Sequence, residues 1–144
     1  ADDSAEGSVT SVRFTYIRGL WLNSANLLYI SDTGNYRIRV MNLTSMTVRT
    51  IAGNGSNLFY GDNGPASLAC ISSTFGIWEN TEGSIFFTDR GNSRIRRISF
   101  QGKITTIAGN GILGYVEDAV SATSTPLNAP RGLIGDSLGN IYIG

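Results

Sequence analysis

The stretch Ser31-Asp32-Thr33-Gly34-Asn35-Tyr36-Arg37-Ile38-Arg39 returns 57 positions later as Thr88-Asp89-Arg90-Gly91-Asn92-Ser93-Arg94-Ile95-Arg96. Its surroundings recur in the same order. Ile51-Ala52-Gly53-Asn54-Gly55 returns at positions 107–111, and Gly19-Leu20-Trp21 returns at positions 76–78 and 132–134. A fixed period of this length indicates one copied supersecondary unit, and each copy buries its apolar faces against its neighbours.

Within each unit the apolar residues form short bursts between turn formers, which predicts strands and not helices. The second burst is apolar at consecutive positions, as in Leu27–Ile30 and Ile85–Phe87, so we expect it to be covered on both faces. The third burst, beginning at Arg37 or Arg94, alternates and predicts one more polar face. Between them lies Asp-x-Gly-Asn, a tight turn in which we expect glycine to take positive φ.

Four antiparallel strands per unit, glycine-rich turns and near-constant spacing predict an all-β fold of β-propeller blades. The predicted divisions are the end of a preceding linker (1–17), a first blade with its linker (18–74), a second blade with its linker (75–130) and half of a third blade (131–144). A β-sandwich is the competing prediction, but its strands would not repeat residue by residue.

The run from Leu28 to Arg39 and the Ile-Ala-Gly-Asn-Gly segments resemble the signature of NHL repeats. The linker Tyr60-Gly61-Asp62-Asn63-Gly64-Pro65-Ala66 is similar to that of the long-linker variety, found in bacterial and algal proteins and in teneurin-type ectodomains. The resemblance implies an NHL-type propeller and a role in protein–protein interaction.

About two and a half blades form an incomplete propeller, because propellers close with roughly four to eight blades. Open blade faces would leave strand edges and apolar surface in water. We therefore expect this segment either to be part of a longer polypeptide or to be completed by further copies of itself.

The composition argues against several classes of function. The formal charge is zero, with 11 basic and 11 acidic residues, which disfavours nucleic acid as a partner. No apolar run is long enough to span a membrane. Histidine is absent, which removes His-based acid–base catalysis and the His-ligated zinc that some members of the resembled family use. The single cysteine, Cys70, is interpreted as a small buried residue.

The repeated turn residues are the main candidate site positions, and we interpret them as structural. A ring of functional carboxylates is the alternative, but repetition in every blade favours a turn that pairs with an arginine such as Arg37 or Arg94. The turn residues are Asp32, Gly34, Asn35, Asp89, Gly91 and Asn92.

Acidic residues also recur in the linkers and raise the possibility of Ca²⁺ binding, although no calcium-loop spacing is present. They are Asp2, Asp3, Glu6, Asp62, Glu117 and Asp118. We predict no cofactor and no metal. The arginines at positions 94, 96 and 97 raise RNA binding as an alternative, but alternating arginines more often form a solvated face.

Two sequons, Asn42-Leu43-Thr44 and Asn54-Gly55-Ser56, are candidate acceptors for N-linked glycans if the protein is secreted. Asn42 lies in a hairpin that is one residue longer than its counterpart. Asn54 has an equivalent, Asn110, that carries no sequon, so backbone geometry alone explains it.

The sequence therefore predicts a non-enzymatic binding or scaffold module of an extracellular or cell-surface protein, with a protein partner or further copies of itself. Two alternatives stay open. The first is a structural subunit of an extracellular homo-oligomer or filament. The second is a lactonase- or lyase-type propeller enzyme whose site lies in blades outside this sequence.

Overall fold

The computed structural model of the chain describes residues 7–116 and 121–144, and this part is built from β-strands joined by turns. Its only helical segments are four single 3₁₀ turns, at Thr33–Asn35, Ala66–Leu68, Arg90–Asn92 and Ala122–Ser124. No helix in the described residues has the length and apolarity needed to cross a membrane. The strands are β1 (Gly7–Ser8), β2 (Ile17–Leu22), β3 (Leu27–Asp32), β4 (Arg37–Asn42), β5 (Thr47–Ala52), β6 (Thr74–Glu79), β7 (Ile85–Asp89), β8 (Arg94–Ile98), β9 (Ile104–Ala108), β10 (Leu133–Gly135) and β11 (Ile141–Ile143).

The strands form three antiparallel sheets that follow the sequence repeat. The first sheet has the order β1-β5-β4-β3-β2, the second β6-β7-β8-β9, and the third β10-β11. The prediction of four-stranded antiparallel blades, with half of a third, is confirmed. One detail differs, because Gly7 and Ser8 were assigned to a linker but pair with Val48 and Thr47 as a fifth strand on the outer edge.

The inner strands of successive sheets lie side by side, as the blades of a propeller do. β6 packs beside β2 on one side and beside β10 on the other. The two complete inner strands begin at Ile17 and Thr74, each one residue before the predicted blade boundary.

The main core lies between the first two blades. Tyr29 and Val40 of the first sheet face Phe87 and Ile104 of the second, and Ile71 of the linker packs into the same cluster. All residues of β7 and the last four of β3 are buried, which confirms the prediction that the second strand is covered on both faces. Each blade packs one face of its sheet against each neighbouring blade, so the core forms where two copies of the repeat meet.

Gly19 lets the two inner strands approach closely. A Cβ at this position would lie only 1.8 Å from the carbonyl oxygen of Phe75. Gly76 repeats the arrangement with the third sheet, where a Cβ would lie 2.7 Å from the carbonyl oxygen of Arg131. The Gly-Leu-Trp recurrence in the sequence thus marks the contact between blades.

Candidate functional site

The Asp-x-Gly-Asn segments form single 3₁₀ turns between the second and third strands of each blade. The expectation that their glycines take positive φ is wrong. The left-handed residues are Tyr36 and Ser93, with φ of 51° and 48°, which follow the turns. Each closes its turn by donating its backbone N–H to the carbonyl of the first turn residue.

Gly34 and Gly91 are required instead by close approach to the preceding linker. The N–H of Gly91 donates to the carbonyl oxygen of Ser72 at 2.9 Å, and a Cβ on Gly91 would lie 2.1 Å from the Ser72 hydroxyl. Gly34 bonds Thr15 in the same way at 2.7 Å. The turns therefore clamp each incoming linker to its blade.

Asp32 and Asp89 complete this clamp and are fully buried. Asp89 accepts the backbone N–H of Ser72 at 2.7 Å and the side-chain amide of Asn92 at 3.0 Å. Asp32 accepts the N–H of Thr15 at 2.9 Å, and Asn35 donates to it at 3.0 Å.

The arginines that pair with these aspartates are not the ones we expected. Arg39 contacts Asp32 at 3.2 Å and Arg96 contacts Asp89 at 2.9 Å, and all four side chains are buried. Residues two apart lie on the same face of a strand, so strand alternation does not distinguish the two arginines of the Arg-Ile-Arg motif, and it is the second one that contacts the aspartate.

The first arginine of the motif, Arg37 or Arg94, instead donates to carbonyl oxygens of neighbouring turns. Arg94 reaches Asn92 and Asn110, both at 2.9 Å. Both arginines thereby join the Asp-x-Gly-Asn turn of a blade to its Gly-Asn-Gly turn.

Asp62, the linker acid considered for Ca²⁺, belongs to this structural network. One of its carboxylate oxygens lies 2.8 Å from Arg96. The other accepts the Thr106 hydroxyl at 2.6 Å and the Thr106 N–H at 3.2 Å. The other linker acids, Asp2, Asp3, Glu6, Glu117 and Asp118, lie outside the described residues.

Burial raises the pKa of Asp89 above its ordinary value of 3.8, because a buried carboxylate loses hydration. The hydrogen bonds from Asn92 and Ser72 and the charge of Arg96 oppose that rise. These carboxylates hold the linker and the blade together, which supports their structural interpretation.

The basic cluster at positions 94, 96 and 97 does not form a solvated face. Arg96 is fully buried, and Arg94 and Arg97 are partly buried. Arg97 donates to the Ser84 hydroxyl at 3.3 Å. These side chains therefore do not present the exposed basic stripe that nucleic acid binding needs.

The two sequons differ in their local structure. Asn42 ends β4, and its side-chain oxygen accepts the backbone N–H groups of Thr44 and Ser45. The Asn54 amide donates to the carbonyl of Leu68 at 3.3 Å and lies 3.4 Å from the sulfur of Cys70. Cys70 is buried, as expected of a small interior residue.

Exposed apolar side chains cluster in the two linkers, a feature that the sequence reasoning did not single out. Leu58 and Tyr60 are 64% and 70% exposed in the first linker. The second linker exposes Ile112, Leu113 and Tyr115. Both groups begin within three residues after a Gly-Asn-Gly turn, and that recurrence was the available signal.

Contacts with the second blade hold the first linker in place around these exposed residues. The Asn92 amide donates to the carbonyl of Leu58 at 3.0 Å. The guanidinium of Arg94 stacks 3.7 Å from the centre of the Phe59 ring. Leu58 and Tyr60 thus project into solvent on either side of an anchored phenylalanine.

Comparison with known proteins adds two relatives in sequence. The chain is 29% identical over 145 residues to the chloroplastic protein SUPPRESSOR OF QUENCHING 1 of Arabidopsis thaliana, a match that covers 96% of this chain and 14% of that protein. It is 32% identical over 134 residues to Teneurin-1 of Gallus gallus, covering 81% of this chain and 5% of that protein. No family profile matches the chain. The chain thus spans a small part of the length of these relatives.

Solved structures resemble the chain in fold. An auxiliary nutrient binding protein from Bacteroides thetaiotaomicron matches with a TM-score of 0.68 and 23% identity, covering 87% of this chain and 34% of that one. A gluconolactonase from Xanthomonas campestris matches with a TM-score of 0.63 and 18% identity, covering 91% and 35%. Virginiamycin B lyase from Staphylococcus aureus matches with a TM-score of 0.58 and 17% identity, covering 96% and 37%. These identities define the fold alone, and the chain is an all-β segment of propeller-type blades.

Proposed function

We propose that this chain is a segment of an NHL-type propeller that acts as a non-enzymatic, protein-binding module of a secreted or cell-surface protein. The NHL assignment rests on the Asp-x-Gly-Asn and Ile-Ala-Gly-Asn-Gly motifs. The first holds the linker to the blade as described above, and Arg37 and Arg94 join it to the Gly-Asn-Gly turn of the second. The similarity to Teneurin-1 supports an extracellular location, whereas the other relative is chloroplastic by name.

The observation that carries the binding proposal is the paired set of exposed apolar residues in the linkers. Leu58 and Tyr60 form the first group, and Ile112, Leu113 and Tyr115 form the second. Contiguous exposed apolar side chains mark sites of protein contact, and tyrosine is enriched at interface centres. Linkers carried on a rigid scaffold are also the usual position for binding residues.

The buried carboxylates favour binding over catalysis. Asp32, Asp89 and Asp62 are all occupied by arginine, hydroxyl or backbone partners inside the blades. A carboxylate that acts as general acid, base or metal ligand must instead reach substrate or metal. The recurring acids therefore hold the fold, and we infer that the module works through its surface.

Photo-crosslinking of the full-length protein in its native source tests the proposal. A photoreactive residue at Leu58 or Tyr60 should crosslink a second protein, and the same residue at Phe100 serves as the control. Phe100 is 81% exposed in the hairpin between β8 and β9. We expect the L58S/Y60S double variant to lose most capture of that protein, and the F100S variant to retain it.

The test also separates the alternatives. Equal capture by L58S/Y60S and F100S would refute the proposal. Crosslinking of a second copy of the same chain would replace it with the structural homo-oligomer. Turnover of a lactone or related substrate by the purified full-length protein would replace it with the enzyme.

A further inference from the structure

Three arginines meet around one aromatic ring at the inner edge of the blades. The guanidinium carbons of Arg18, Arg90 and Arg131 lie 5.5, 5.3 and 5.8 Å from the centre of the Phe75 ring. Any two of these guanidinium carbons are thus less than twice the longest distance apart. Physiological salt screens charges only in part within the Debye length of about 8 Å and largely beyond it, so repulsion persists in the closer part of this range. A ring attracts single cations, but it does not remove repulsion among three.

The backbone conformation brings the three arginine side chains together beside Phe75. Arg18 lies at a register shift in β2, and Phe75 lies at the corresponding shift in β6. Such bulges redirect side chains and are common beside functional sites. Arg131 precedes β10, and its carbonyl accepts the Gly76 N–H at 2.8 Å. Since the inner strands lie side by side, residues from three blades converge here.

The cluster has no counter-ion among the residues that the structure describes. The three described ion pairs involve only Arg39 and Arg96. The Nε atom of Arg90 is buried and has no hydrogen-bond partner in the described part of the chain. Arg96, by contrast, is matched by two carboxylates, Asp62 and Asp89. The fold therefore neutralises its structural arginine and leaves this cluster positive.

The repeat shows that the blade does not need these arginines. Arg90 occupies the position of Thr33 in the first blade, and the Thr33 hydroxyl donates to the carbonyl oxygen of Thr74. Arg18, Phe75 and Arg131 share one repeat position, which holds arginine in two copies and phenylalanine in the other. The net charge of the chain is zero, so the cluster is not a consequence of general basicity.

We propose that Arg18, Arg90 and Arg131 form a site for a small oxyanion, a carboxylate or a phosphate, beside the Phe75 ring. The guanidinium group carries N–H donors in a planar fork that matches both kinds of anion. An anion there would satisfy the buried Arg90 Nε and relieve the mutual repulsion. The site is independent of the linker residues that carry the proposed protein contact.

Calorimetric titration of the full-length protein tests this site. Inorganic phosphate and citrate are titrated separately at constant ionic strength, so that the two arms identify which oxyanion is preferred. The Arg90→Thr variant introduces the residue that the first blade already has in this turn. Arg49→Thr, at an exposed position of β5, makes the same charge change elsewhere. We expect Arg90→Thr to weaken binding about tenfold or more, and Arg49→Thr to leave it within about twofold.

Absence of binding in both arms would overturn the proposal, as would equal losses in the two variants. Circular dichroism checks that Arg90→Thr is folded. Arg131→Gln, at an exposed side chain, provides a second variant with the same expected loss. The L58S/Y60S variant should bind the anion normally, so failure of this site and failure of the protein-binding proposal are distinguishable.

Discussion

Replacing Asp89 by asparagine tests whether the recurring aspartates hold the blade and linker together. Asp89 is fully buried, accepts the Ser72 N–H at 2.7 Å and pairs with Arg96 at 2.9 Å. Asparagine keeps one carbonyl oxygen for Ser72. Its other group becomes an amide donor, which faces the donors of Arg96 and Asn92.

The expected cost follows from these contacts. A hydrogen bond to a charged group contributes about 1.5 to 3 kcal/mol, and removing one partner of a buried ion pair costs about 3 to 5 kcal/mol. Asp62 remains 2.8 Å from Arg96 and continues to offset its charge. We therefore expect Asp89→Asn to lower the free energy of unfolding by about 3 kcal/mol, at the lower end of that range.

Asp62→Asn and the double variant refine the test. Asp62 is 25% exposed, so its single substitution should cost less, about 1 to 2 kcal/mol. Removing both carboxylates leaves Arg96 buried without either counter-ion. The double variant should then cost more than the two single variants together, by about 1 kcal/mol.

The measurement is urea-induced unfolding of the full-length protein, followed by tryptophan fluorescence and circular dichroism. Glu82→Gln is the matched control, because Glu82 is exposed in the turn between β6 and β7. That control should change stability by no more than about 0.5 kcal/mol. If Asp89→Asn costs as little as the control, the aspartate is not a structural clamp and the reasoning is refuted.

Three further outcomes follow from the contacts between blades and from the sequons. Gly19→Ala should destabilise the protein by more than about 2 kcal/mol, because its Cβ would lie 1.8 Å from the Phe75 carbonyl oxygen; urea unfolding measures this. Burial, together with a hydrogen bond to the Glu79 carboxylate, raises the pKa of Tyr29 above its ordinary value of 10.0. The free energy of unfolding should therefore fall as pH rises above about 10, and Tyr29→Phe should reduce this dependence on pH. If the protein is secreted from a eukaryotic cell, peptide mass spectrometry should find more glycan on Asn42 than on Asn54. Among the described contacts only the Asn54 side-chain nitrogen, the atom that would carry the glycan, is held as a donor.

Each of these outcomes has a matched control. Gly114→Ala should cost little, because its Cβ would find its nearest atom 3.6 Å away. Tyr115→Phe should leave the alkaline slope unchanged, because Tyr115 is 81% exposed. A costless change at Gly19, an unchanged slope in Tyr29→Phe, or equal glycan occupancy at both sequons would contradict the corresponding argument.

The sequence identified the turn residues but not the contacts that require them. From the pattern alone, Asp32 and Asp89 were predicted as structural, and the buried contacts support that interpretation. The predicted partners were wrong, because Arg37 and Arg39 carry the same chemistry and share one face of the strand, so the sequence pattern did not distinguish them. Gly91 was expected to take positive φ, but glycine is required there because Ser72, its hydroxyl above all, lies too close for a Cβ.

Local periodicity determined the strands, their antiparallel order and the copied blade, because strand alternation and turn chemistry are encoded within a few residues. The tertiary structure alone decided which atoms meet between blades. Asp62 and Arg96 are 34 positions apart, and Arg18 and Arg131 are farther apart still, yet each pair converges on one site. Such contacts depend on how the sheets stack and where the strands bulge, and the sequence of a single repeat does not specify that geometry.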